Sequence, residues 1–321
     1  MTSPSGDDGA GVTRVPVDPD LVSPPPTPVG RDSTAGVAVM AHLRRQTGAL
    51  LAADAGFDDD APDAVHAARV AARRLRSGLR VYGDLLRDDV GARLRPELSW
   101  YAGALSPVRD LEVFAASLAA TPEEDLHGYG ETLLPWVRHR LVLARAAALD
   151  DARSPRAAAL RGALVALART PAFTAEAARK APKVLRPRVL RADHRASRLL
   201  EQLTPDDGSD AWHSGRIAAK RARYAAEVGA PVLGRPCDEI ARLWARLTEP
   251  LGDAQDAVVQ RALVLDRVDD VTVPLSAGEA FVCGVYVAST HDREVACHRR
   301  AREAWSASRG EHKILRKAMG R

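Results

Sequence analysis

His66-Ala-Ala-Arg69-Val-Ala-Ala-Arg73-Arg74-Leu-Arg76 and His213-Ser-Gly-Arg216-Ile-Ala-Ala-Lys220-Arg221-Ala-Arg223 repeat one pattern at a displacement of 147 residues. Cationic positions recur at steps of three and four, the spacing that stacks side chains on one face of an α-helix. At about 100° per residue, His66, Arg69, Arg73, Arg76 and Arg80 fall within an arc roughly 80° wide. Val65, Ala68, Ala72, Leu75, Leu79 and Tyr82 cover the adjoining arc, which sets a packing face beside a guanidinium stripe. The second copy keeps Trp212, Ala219, Ala222 and Ala226 on its packing side, and only Glu227, in the register of Arg80, interrupts the positive row. A solvated helix face normally mixes signs, because like charges at this spacing cost about 0.2–0.5 kcal/mol per pair. The scarcity of interleaved acids therefore predicts a face built to meet an anion.

The repetition extends further. Leu105-Ser-Pro-Val-Arg109-Asp110-Leu-Glu-Val113 aligns with Leu251-Gly-Asp-Ala-Gln255-Asp256-Ala-Val-Val259 at a displacement of 146. Two motifs in one order at nearly equal displacement define an internal duplication. From Thr34 onward alanine, leucine and arginine dominate and no stretch alternates with a period of two, so the fold expected is all-α. Helices are predicted over 34–54, 63–86, 88–104, 108–119, 122–149, 155–169, 173–202, 209–229, 235–249, 253–267, 276–307 and 310–319. Pro182 and Pro187 are expected to kink or shorten the helix over 173–202. Two pseudo-symmetric bundles, about 34–172 and 173–318, would pack about a twofold axis and turn both stripes toward a shared groove or cavity. Residues 1–33, with Pro16, Pro19, Pro24, Pro25, Pro26 and Pro28 among Ser, Gly and Asp, read as a disordered tail.

Among the 321 residues are 41 arginines and five lysines, with a net charge of only +4 and a pI near 9.1. The information therefore lies in the placement of charge rather than its total. Arginine presents a planar fork of donors that matches phosphate oxygens and keeps its charge at any physiological pH. Cys237, Cys283 and Cys297 show no paired spacing, which predicts buried thiols in a reduced, cytoplasmic setting. No apolar run suits a membrane span and no leader order is present at the N-terminus.

The doubled His-x-x-Arg-(Val/Ile)-x-x-(Arg/Lys)-Arg-x-Arg motif, each time followed by Leu-(Gly/Ser)-x-x-x-Asp-x-x-Val, resembles the CHAD domain, the conserved histidine α-helical domain. The resemblance covers residues 34–318. It implies paired helical bundles with a basic cavity that binds inorganic polyphosphate, and association with polyphosphate granules. Carried onto matching positions, it nominates His66, Arg69, Arg73, Arg76, Arg80, His213, Arg216, Lys220 and Arg223 as the phosphate-contacting set. Arg74, Arg109, Asp110, Arg221 and Asp256 are expected to support it. Gly215 and Ala222 stand where bulkier apolar residues are usual in the family, which points to closer packing or lower stability of the second bundle. Nothing in the chain resembles the CYTH triphosphate-tunnel domain of many relatives, so a stand-alone CHAD protein is expected.

Other readings of the same residues are weaker. A metal at His66 or His213 needs a ligand three or four residues away, where Arg69 and Arg216 stand instead. His291 and His298, near Asp292, form the only other candidate pair, and solvated or locally paired histidines are the simpler account. Asp110 and Asp256 could form a carboxylate pair for acid–base chemistry; salt bridging to a stripe arginine fits their basic surroundings better. No phosphate loop, nucleophile elbow or metalloprotease motif occurs, so neither catalysis, metal nor cofactor is expected. A polyphosphate- or phosphate-processing enzyme and a nucleic-acid-binding helical protein are the alternatives. Aromatics make up only 4% of the chain and none interleaves with the stripes, which argues against base stacking.

Overall fold

The computed structural model describes residues 28–57, 63–120, 128–270 and 273–320. Helix α1 (Ala35–Ala55) opens at Thr34, whose hydroxyl accepts from the amide of Val37, one of the donors a helix N-terminus leaves free. The first basic motif forms α2 (Ala64–Tyr82), which ends in a 3-10 turn, Gly83–Leu85. Then come α3 (Val90–Ala104), α4 (Ser106–Ala120), α5 (Tyr129–Arg153) and α6 (Pro155–Arg169). Ser154 caps α6 by accepting from the amide of Ala157 at 3.2 Å, and Pro155 fills the first turn, where its missing N–H is not needed. A 3-10 turn over Ala175–Ala178 leads into α7 (Ala181–Gln202) and α8 (Ser209–Leu233), the second basic helix. Two long helices, α9 (Arg235–Asp269) and α10 (Ala277–Gly320), complete an all-α fold. Outside the helices, Thr34 with Lys180 and Leu86 with Phe173 form isolated antiparallel bridges. Among the described residues no helix is long and apolar enough to cross a membrane.

Several predicted boundaries are corrected. The helix expected over 173–202 starts at Ala181 with Pro182 in its first turn, and Pro187 lies inside it. Breaks expected near 250–252 and 308–309 are absent: α9 runs through Pro250 and Gly252, and α10 through Gly310. An interior proline costs one backbone hydrogen bond and a glycine about 1 kcal/mol. Packing of α9 along both α8 and α10 outweighs those losses. By the 146-residue displacement α9 corresponds to α3 plus α4, which part at Leu105, where Pro107 starts a fresh helix and Asp253 in the second copy does not. Likewise α10 spans the counterpart of α5 plus α6, with Ala301 in place of Pro155. Residues 1–27 of the expected tail and 122–127 of an expected helix lie outside the described residues. Residues 28–33 do not extend the tail inward: the amide of Ala181 donates to the Ser33 carbonyl and that of Ala35 to the Arg179 carbonyl, both at 2.9 Å.

The packing faces read from the sequence are buried, with Val65 only partly so. A single apolar cluster runs from α1, α2 and α3 into α7, α8 and α9. A second, around Phe114, Leu133, Val264 and Tyr286, joins α4 and α5 to α9 and α10. Alanines at the α2–α8 contact let the backbones approach, and Tyr82 donates to the carbonyl of Ala225 at 2.9 Å across it. At Gly215 an added Cβ would lie 2.8 Å from Leu203 Cδ1, so α8 seats closely here, as a glycine at this place suggests. Cys237, Cys283 and Cys297 are all free and buried.

A polar knot sits inside the second half. Asp193 and His312 have no exposed surface; Trp244 Nε1 donates to Asp193 Oδ1 at 2.7 Å, His312 Nδ1 lies 3.1 Å from the same oxygen, and Arg316 pairs with Oδ2 at 3.2 Å. It ties α7 to α9 and α10. Replacing Asp193 by alanine takes the acceptor from Trp244 Nε1 and His312 Nδ1 and the counter-charge from Arg316, so Asp193→Ala should lower the unfolding free energy by about 3 kcal/mol in urea denaturation. A loss below about 1 kcal/mol, the range of exposed pairs, contradicts this assignment.

Candidate functional site

Contact between α2 and α8 brings the two stripes to one open cavity of about 950 Å³, walled also by α3, α4 and α9. His66, Arg69, Arg73, Arg76 and Arg80 enter from α2, Arg109 and Asp110 from α4, His213, Arg216, Lys220 and Arg221 from α8, and Gln255 and Asp256 from α9. With Arg95 from α3, nine arginine and lysine side chains face two aspartates. Arg95, Ser99 and Ser106 are lining residues that sequence reading missed. Arg95 and Ser99 belong to no repeated motif, since Ala241 and Ala245 stand at the corresponding places, and so left no signal, whereas Ser106 lies within the second motif.

Arg74 and Arg223 do not line this cavity. Arg223 Nε donates to Glu227 Oε1 at 2.8 Å, and Arg74 Nε lies 3.5 Å from Glu227 Oε2. Arg74 instead lines a separate mixed-charge crevice with Arg45, Arg235 and Asp238. The difference between copies has a local cause. At the place of Glu227 the first helix has Arg80, which offers Arg76 no partner, and Arg76 donates to Ser99 Oγ at 2.8 Å.

Protein acceptors only partly satisfy the remaining cations. Arg69 pairs with Asp110 at 3.6 Å, while no ion pair to Asp256 is found among the described residues. The Nε atoms of Arg69, Arg73 and Arg216 are buried with no protein acceptor, a state that costs each donor its hydration. Burial and mutual repulsion hold the guanidinium groups of Arg69, Arg76, Arg216 and Arg221 below their ordinary pKa. Lys220 is pushed down to about 7, first by burial and then by Arg216 and Arg73. Burial raises both aspartates, and Asp110 adds to the rise of Asp256.

The histidines differ. Burial, then Arg109 and Arg73, lower His66, favouring the neutral ring. At the place of Arg109 the second copy has Gln255, whose side-chain oxygen is hydrogen-bonded to His213 Nδ1. His291 and His298 form no pair: His291 is exposed, whereas His298 is buried, stacked on Trp212 at 4.5 Å and 4.0 Å from Glu294.

A helical protein with two repeated basic helices around one cationic cavity is the class these features define. The chain belongs to the CHAD domain family, whose profile matches residues 41–265. Two proteins of Mycobacterium tuberculosis, the uncharacterized MT2285 of strain CDC 1551 and Rv2226 of strain H37Rv, are each 29% identical over 310 residues. That stretch covers 94% of this chain and 56% of each relative, so the chain spans about half their length. The crystal structure of the CHAD domain from the plant Ricinus communis superposes with a TM-score of 0.72 over 88% of this chain and 95% of that one. PptA from Streptomyces chartreusis gives 0.69 over 85% and 100%. Both are 23% identical and establish the likeness of fold.

The electrostatics of the cavity can be read at Lys220. Its ammonium should titrate with a midpoint near 7 in an NMR pH series, losing its charge as pH rises through that value. Asp256→Asn should lower the midpoint further, because Asp256 favours the charged form. A midpoint near the ordinary lysine value of about 10.4 contradicts the packing of cations described here.

Proposed function

We propose that this chain binds inorganic polyphosphate in the cavity between α2 and α8, without turning it over, and so associates with polyphosphate granules. The observation that carries this reading is the imbalance of nine arginine and lysine side chains against two aspartates in one cavity. A flexible polyanion with a charge on every phosphate supplies acceptors for several guanidinium groups at once and needs no aromatic platform. Membership of the CHAD family supports the same ligand class. Hydrolysis needs an activated water, commonly at a metal held by carboxylates. Asp110 is engaged with Arg69, and the nine arginine and lysine side chains around the two aspartates disfavour a bound metal cation.

Titration of long-chain polyphosphate against the wild type and variants tests the proposal. Arg73→Glu and Lys220→Glu should each weaken binding at least tenfold, and the double variant further still. Arg223→Gln, outside the cavity, should stay within threefold. Single-stranded RNA of equal charge should compete poorly, and chain length should be unchanged after hours with magnesium or manganese. Wild-type affinity in the double variant places the site elsewhere, and metal-dependent phosphate release lost on changing Asp110 favours an enzyme.

A further inference from the structure

Of the five lysines, Lys180, Lys183, Lys313 and Lys317 are exposed, while Lys220 is recessed in the cavity wall. The first repeat has Arg73 at the corresponding place. For anion binding alone an arginine serves as well and stays protonated, whereas a primary amine adds a nucleophile. Lys220 has no hydrogen bond or ion pair among the described residues, and Arg216, Arg73, Arg69 and Asp256 surround it. Guanidinium forks take phosphate oxygens in a fixed plane. A small phosphorylated molecule seated on them therefore places the atom next to its phosphate beside the amine.

We propose that Lys220 accepts an acyl group from small acyl phosphates, whose phosphate is held by Arg73 and Arg216. This rests on the cavity being a phosphate site. The Nζ lone pair attacks the carbonyl carbon and forms the C–N bond; the carbon–oxygen bond to phosphate breaks, and phosphate leaves with that electron pair. The proton released from nitrogen passes to the departing phosphate, leaving an amide on Lys220 and inorganic phosphate. The same cations serve both ends of the reaction. They disfavour protonation of Nζ, so free amine is well populated near neutral pH, and they stabilise charge on the leaving group. Acylation takes from the cavity wall an amine that an incoming polyanion would protonate, so occupancy of this site by acyl groups would tune affinity for a polyanion.

Acetyl phosphate at pH 7.5, with time-resolved peptide mass spectrometry, tests this on the intact wild-type chain against its four exposed lysines as internal controls. Lys220 should be acetylated at least tenfold faster than each of them. Inorganic pyrophosphate should suppress the reaction, and the preference should disappear with the uncharged ester p-nitrophenyl acetate. Acetylation should then weaken polyphosphate binding at least threefold, with no such loss in similarly treated Lys220→Arg, whatever its starting affinity. Reaction at Lys220 no faster than at the exposed lysines overturns the proposal, as does an equal preference with the uncharged ester, which makes Lys220 a reactive amine with no phosphate seat. Pyrophosphate-suppressed acetylation in a chain that fails to bind polyphosphate keeps this proposal and removes the polyphosphate reading.

Discussion

Repulsion among cations forced onto facing helices, and the apolar contact that holds them there, is the balance on which the site rests. The alanine-rich faces of α2 and α8 bury against each other and against α1, α7 and α9, and that burial fixes the adjoining stripes at one cavity. Each like-charge neighbour on a stripe costs only tenths of a kcal/mol in water, about 0.2–0.5, but partial burial raises the cost by thinning the screening solvent. Burial first, and neighbouring cations second, lower the pKa values of Arg216 and Lys220. An anion that fills the cavity relieves the repulsion, which makes ligand binding and fold stability two readings of one energy.

Duplication explains the architecture, and departures from it explain the site. Three exchanges at corresponding positions matter: Arg80 for Glu227, Arg109 for Gln255 and Arg73 for Lys220. Glu227 draws Arg74 and Arg223 out of the cavity, so the first stripe supplies more of its charge. Gln255 gives His213 a neutral hydrogen-bond partner, whereas Arg109 repels a proton from His66. A doubled basic surface has thus become two unequal walls.

Most of the site was legible because its residues sit at fixed helical steps within a repeated motif. Spacing placed His66, Arg69, Arg73, Arg76, Arg80, His213, Arg216 and Lys220 on two faces, and the second motif located Asp110 and Asp256. Rotamer choice was not legible: Arg223 has the register of Arg76 but turns to Glu227, a contact decided by one neighbour four residues on. Arg95 was invisible because tertiary packing of α3, not a repeat, brings it to the cavity. Helix boundaries failed where local breakers were overruled, as at Pro250 and Gly310, by packing that only the folded chain reveals.

Ligand-linked stability tests the central claim most directly. Melting followed with and without long-chain polyphosphate should show a rise of about 4 °C or more at a hundredfold excess over Kd. The rise should shrink as salt is added, because neutralising the cavity releases counterions from the polyanion. It should vanish in the Arg73→Glu, Lys220→Glu double variant. A melting temperature indifferent to polyphosphate, or an equal rise in the double variant, contradicts the account.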